Sequence, residues 1–213
     1  MGEVIRLTDR RMRPGPGAVA RSAARVEFFF DLSSPFTYLA AERVDRTYGE
    51  VVWTPASARA LRCRAVPGDN REAEQIWALA TQRAISLQLP LEWPERWPEP
   101  VPAAMRVAHY AANEGRGAAF VLAATRLAFA GGFHLDDIEI LTEAAAAAGL
   151  ALDDCLRAAR EERRDGALES AARRLLGEGV DRLPVLMTDG GVFWGESRIT
   201  DALAARAHLP SRF

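Results

Sequence analysis

Residues 28 to 44 read FFFDLSSPFTYLAAERV, an apolar run that stops at a carboxylate and restarts as a helix behind a serine-proline pair. Three consecutive phenylalanines, Phe28 to Phe30, suit a short strand covered on both faces. Asp31 to Ser34 supply a polar turn, and Pro35 fits the first helical position, where its fixed φ is helical and its missing N–H would have had no partner. Ser33 or Ser34 is the natural N-cap. Tyr38, Leu39 and Val44 continue an apolar stripe at helical spacing, which predicts a helix to about Gly49. Such a turn sets a hydroxyl at a helix N-terminus, where unpaired N–H groups and the dipole favour negative charge, a thiolate included. Taken alone, Ser34-Pro35 also reads as nothing more than a cap followed by a proline.

The rest of the chain gives that turn its context. Residues 50 to 55, EVVWTP, read as a second strand closed by proline, making one βαβ unit. Periodicity is lost over 56 to 69, which end in the turn cluster at Pro67 to Asn70. Ile76, Leu79, Ala80 and Ile85 predict a helix over 71 to 88. Five prolines from Pro90 to Pro102, with Trp93 and Trp97 among them, mark an extended, aromatic loop. A helical block follows to about 178, with breaks expected at Gly115 to Gly117, Gly131-Gly132, Gly149 and Gly166 and helix starts near Asp136, Asp153 and Asp165. Then Leu183 to Met187 read as a strand, Asp189 to Gly191 as a hairpin turn, Val192 to Trp194 as its partner, and Glu196-Ser197 as the cap of a last helix to about Ala207. The order β-α-β, helices, β-β-α is the thioredoxin order with helices between its halves. The expected fold is therefore α/β, thioredoxin-like with an inserted all-helical domain: a disordered leader at 1–25, a thioredoxin-like domain at 26–69 and 180–213, and the insert at 70–179. Pro184, at a strand start where it need not donate to a ladder, is a candidate for a cis bond.

Composition excludes several classes. No stretch of the 213 residues approaches the roughly 20 apolar residues of a membrane span, and residues 1 to 25 lack the apolar core of a signal peptide, so a cytoplasmic protein is expected. All 27 basic residues are arginines and the 29 acids outnumber them, which gives no sign of a nucleic-acid partner. Cys63 and Cys155 form no CxxC pair, and His109, His134 and His208 have no ligand spacing, so no metal site is written here.

FDLSSPFTYLA, the WTP that ends the second strand, QRAISLQLPLEWPERWP, RVAHYAANEGRGAAFVLAATRLAFAGG and GVDRLPVL…DGGVFWGESRI, in this order, make the chain from residue 26 onward resemble the DsbA-like branch of the thioredoxin superfamily. Within it the resemblance is to 2-hydroxychromene-2-carboxylate isomerases and kappa-class glutathione transferases. Where disulfide oxidoreductases of the branch carry C-P-x-C, this chain has Ser34-Pro35-Phe36-Thr37. A serine forms no disulfide and stays neutral at pH 7, so the resemblance implies not dithiol redox but a hydroxyl that hydrogen-bonds the thiolate of bound glutathione, a role that falls on Ser34. It further implies that the main chain of Leu183, before Pro184, pairs with the tripeptide. Glu196-Ser197-Arg198 stand where relatives place an aspartate before an arginine for the γ-glutamyl amine. Arg71 stands for a lysine that would meet the glycyl carboxylate, and Asn70 for a turn residue beside it.

Phe36, Thr37, Trp77, Trp93, Trp97, Tyr110 and Phe129 are candidates for lining an aromatic substrate cleft, with ordinary packing as the plainer account of each. The expected function is a glutathione-type, thiol-dependent isomerase acting on an unsaturated, aromatic small molecule, using glutathione or another low-molecular-weight thiol. A kappa-like glutathione transferase and a DsbA-like binding module without redox chemistry are the alternatives. The expected partner is a small molecule, not nucleic acid or membrane, with a homodimer left open.

Overall fold

The computed structural model describes residues 26–61 and 70–207; the expected leader at 1–25 lies outside them, as do Cys63 and His208. Four strands form one mixed sheet in the order β2-β1-β3-β4. β1 (Val26–Phe30) and β2 (Val51–Pro55) run parallel, with Phe28 beside Trp53, and are joined by α1 (Pro35–Thr47). β3 (Val185–Thr188) lies antiparallel on the other side of β1, with Phe29 opposite Val185, and β4 (Gly191–Trp194) closes the hairpin. The tight turn places Gly191 at φ +130°, a conformation that favours glycine.

The three phenylalanines explain why β1 is central. Side chains alternate across a strand, so Phe28 and Phe30 enter the larger core with Trp53, Tyr38, Leu39 and Phe120, whereas Phe29 enters a second core with Leu175, Val180 and Val185. All three are fully buried. Between β2 and β3 the chain is helical: α2 (Asn70–Leu87), α3 (Pro102–Asn113), α4 (Gly117–Phe129), α5 (Ile138–Ala147), α6 (Leu152–Arg160) and α7 (Asp165–Gly177), with α8 (Glu196–Ala207) last. No described helix is long and apolar enough to cross a membrane.

Several boundaries differ from the sequence reading: Asp153 and Asp165 lie in the first turns of α6 and α7, whose N-cap positions are Ala151 and Arg164. Gly166 does not break a helix: the interruption comes earlier, at a 3-10 turn over Glu162–Arg164, and Gly166 lies inside α7. Nor does Asp136 cap the helix that follows it. Its two carboxylate oxygens accept from the N–H groups of Ala103 (3.2 Å) and Ala104 (2.9 Å), so it caps α3 from 32 residues away. Burial raises the Asp136 pKa while those N–H groups pull it back down. Asp137 occupies the N-cap position of α5.

Candidate active site

The turn between β1 and α1 is built around Asp31. Its carboxylate Oδ1 accepts from the Ser33 N–H (2.9 Å) and hydroxyl (2.6 Å), and Oδ2 from the Ala58 N–H (3.3 Å). Desolvation raises the Asp31 pKa and these donors oppose the rise. The Asp31 carbonyl takes the Thr37 hydroxyl at 2.7 Å and the Ser34 N–H at 3.2 Å. Leu32 N–H points at the Met105 sulfur, 3.3 Å away. Nearly every polar group of the turn is thereby committed to holding it.

Ser34 is the exception. It occupies the N-cap position of α1 with extended backbone (φ −92°, ψ 122°), yet its side chain makes no capping hydrogen bond. Its carbonyl accepts the Thr37 N–H at 3.0 Å, while among the described residues the hydroxyl has no partner, although the residue is only 7% exposed. The Phe36 N–H is likewise unpaired there, as expected for a donor in the first turn of a helix. A hydroxyl that keeps solvent access and a free N–H at the positive end of a 13-residue helix make an anion-accepting corner.

The β3 entrance faces the same end of the sheet. Leu183-Pro184 is cis, and extending the β1–β3 register by one pair sets Pro184 opposite Phe30, the residue before Asp31. The Pro184 carbonyl accepts the Gly195 N–H at 2.8 Å, and Gly195, at φ +79°, turns β4 into α8. Leu183 is half-buried, and among the described residues its N–H and carbonyl are unpaired. That leaves a main-chain donor and acceptor available for a strand-like contact.

The other candidates scatter. Glu196 is 5% exposed and fully engaged: Arg43 of α1 and Arg83 of α2 (2.5 Å) pair with its two oxygens, and the Thr200 hydroxyl adds a bond at 2.8 Å. Unlike a carboxylate waiting for an amine, it ties three helices together. Burial lowers the Arg43 pKa and Glu196 opposes that shift. Ser197 and Arg198 are exposed, the Arg198 guanidinium lying 5.2 Å from the centre of the Trp194 ring. Asn70 and Arg71 are exposed at the start of α2. Thr37 is fully buried with its hydroxyl already donated, unlike a substrate-facing group. Tyr110 lies under Arg164 and 3.4 Å from Asp154, among α3 and α6, apart from the tryptophans.

Those tryptophans do converge. Trp77, half exposed on α2, packs 4.9 Å from Trp93, which meets Trp97 edge-on at 4.5 Å. The Trp97 indole N–H donates to the Ser33 carbonyl at 3.3 Å, so the aromatic ladder ends on the peptide unit before Ser34. Trp97 is a cleft candidate, but its bond to the turn carries no local signal, and Met105 is not a candidate at all: each reaches the turn from more than 60 residues away. Beside Ser33 the packing leaves only a 10 Å³ void. No group of metal-binding side chains occurs among the described residues.

Comparison with known proteins identifies the fold. A family model described as a DSBA-like thioredoxin domain matches residues 25–206. No curated protein matches the chain. Among solved structures, a 2-hydroxychromene-2-carboxylate isomerase aligns at 19% identity and a TM-score of 0.71, covering 85% of this chain and 94% of its own. A probable DsbA oxidoreductase from Streptomyces coelicolor aligns at 20% identity and 0.68, covering 90% and 93%. The cytosolic disulfide reductase DsbM from Pseudomonas aeruginosa, solved with GSH, aligns at 13% and 0.60, covering 87% and 100%. At these identities the likeness is one of fold.

Proposed function

The chain belongs to the DSBA-like thioredoxin domain family, and from that premise we propose that it is a thiol-dependent isomerase that binds glutathione, or a low-molecular-weight thiol of its type, with the sulfur at Ser34. The carrying observation is the Ser34 hydroxyl, which keeps solvent access and has no described partner, in a turn where most other polar groups are used. The window Ser34 to Thr37 holds no thiol, and Cys155, the cysteine among the described residues, is buried with its pKa raised by desolvation, so no described thiol serves a dithiol–disulfide cycle at this turn. A hydroxyl at a helix N-terminus does suit a thiolate brought in by a cofactor: it donates, it costs no charge, and the dipole adds to it.

In this reading Ser34 Oγ and the Phe36 N–H hold the sulfur as thiolate, and the Leu183 main chain aligns the thiol's own peptide groups. The Trp77–Trp93–Trp97 ladder and Phe36 offer faces to an aromatic substrate. The thiolate adds to a conjugated double bond, forming C–S and leaving the electron pair on the neighbouring carbonyl. Rotation about the new single bond and expulsion of the thiolate return the cofactor, so the reaction is isomerisation with no net redox change. Exposed Arg71, Ser197 and Arg198 are the side chains available to the thiol's charged ends.

Titration of glutathione into labelled protein tests the binding. Amide shifts at Phe36 and Leu183, with glutathione-dependent cis–trans conversion of an aryl enone, are expected. Accumulation of a stable adduct would make the enzyme a transferase, and shifts confined to other parts of the chain would remove the reading.

A further inference from the structure

At the edge of the sheet remote from β3 lies a groove of about 1130 Å³ that no candidate active-site residue lines. Its floor is β2, which pairs with β1 on one side and with nothing described on the other. The Ala56 N–H bonds to the Phe30 carbonyl at 2.9 Å, which fixes the phase of the strand: Val52, Thr54 and Ala56 face β1, and Val51, Trp53 and Pro55 face outward. Val51 and Trp53 thus present unpaired N–H and carbonyl groups to the groove, and Pro55, which has no N–H to lose, presents its carbonyl. Small residues form much of both walls, Ala112, Gly117 and Ala118 on one side and Ala167, Ser170 and Ala171 on the other, so a backbone can approach closely. A channel flanked by helices admits one extended segment and excludes a second sheet.

Charge selects among such segments. Asp45 and Glu50, at the end where β2 begins, line the groove and have no ion-pair partner among the described residues. Arg174, which lines it, pairs with Glu27 at 2.5 Å, and His109 is no competing cation, since burial and the Arg164 guanidinium 3.2 Å away lower its pKa. The flanking Glu114 and Arg116 are opposite in sign.

We propose that the outer edge of β2 is a strand-addition site for an extended, basic peptide segment of a partner protein. Main-chain bonds to Val51 and Trp53 would hold it, and Asp45 and Glu50 would select an arginine or lysine. Nothing in it depends on thiol chemistry at Ser34.

The test uses the full chain and an acetylated, amidated pentapeptide alternating valine and arginine, followed by amide spectra and hydrogen exchange. Shifts and slowed exchange at the Val51 and Trp53 amides are expected. The double variant Asp45→Asn, Glu50→Gln should weaken binding about tenfold, which is ~1.4 kcal/mol, and a valine–glutamate peptide should bind the wild type more weakly than the valine–arginine one. Equal binding of the two peptides would overturn the charge selection. No shift at Val51 or Trp53 would overturn the site. Amides that already exchange slowly in the free chain and ignore the peptide would overturn it too, by showing the edge filled from within.

Discussion

Helix α1 carries a buried polar constellation at each end of its inner face, and the two are finished differently. Toward the C-terminal half, Arg43 joins Arg83 and Thr200 around Glu196, and both carboxylate oxygens are taken. At the N-terminus, Asp31 binds its neighbours just as completely, but Ser34, equally buried, keeps a hydroxyl with no described partner. Buried polar groups are ordinarily satisfied, so the closed set is explained by stability, whereas a solvent-reachable hydroxyl at a helix N-terminus is free to meet a ligand.

The closed end should respond most to mutation. Glu196→Ala leaves two partly buried guanidiniums facing each other, and breaking a buried pair from one side costs about 3–5 kcal/mol. Because Arg43 and Arg83 remain 22% and 29% exposed, the lower figure, about 3 kcal/mol, is expected in urea unfolding. A loss under ~1 kcal/mol would show that solvent already screens the cluster.

Asp31→Ala should cost somewhat less, about 2 kcal/mol, since the Ser33 and Ala58 donors lose their acceptor. Its pH dependence sharpens the contrast. The folded-state pKa of Asp31 lies above its ordinary 3.8 because of burial, so between the two values the folded protein binds more protons than the unfolded chain. Stability from this group is present below 3.8 and falls as pH rises through the folded value. The unfolding free energy of Asp31→Asn minus that of wild type should therefore rise across that window, and a flat difference would contradict the assignment. Trp97→Phe, which keeps the aromatic contact and removes the bond to Ser33, is the mildest change, about 1 kcal/mol by the same unfolding assay.

The difference between the two ends also separates what the sequence discloses from what it does not. The strand, turn and helix of residues 28 to 44, the second strand and the closing hairpin were legible because periodicity, Pro35 and the Asp189 to Gly191 turn are local signals. The family was legible from motif order. The partners of Glu196 were not: Arg43 and Arg83 lie 153 and 113 residues away, and nothing near Glu196 distinguishes an engaged carboxylate from a waiting one. Asp136 misleads for the same reason, since its cap is delivered to α3 across the fold. Ser34 stood out in the sequence, but its lack of a partner is a fact of geometry.

The central claim is that Ser34 donates to a thiolate, and the direct measurement is the pKa of glutathione bound to wild type and to Ser34→Ala, followed by thiolate absorbance. A hydrogen bond to a charged group is worth about 1.5–3 kcal/mol, and 1.36 kcal/mol corresponds to one pKa unit, so the variant should raise the bound thiol's pKa by roughly one to two units. Stability should change little, because no capping bond is lost. Coincident titration curves together with a stability loss of about 1 kcal/mol would instead mark Ser34 as a helix cap and contradict the account.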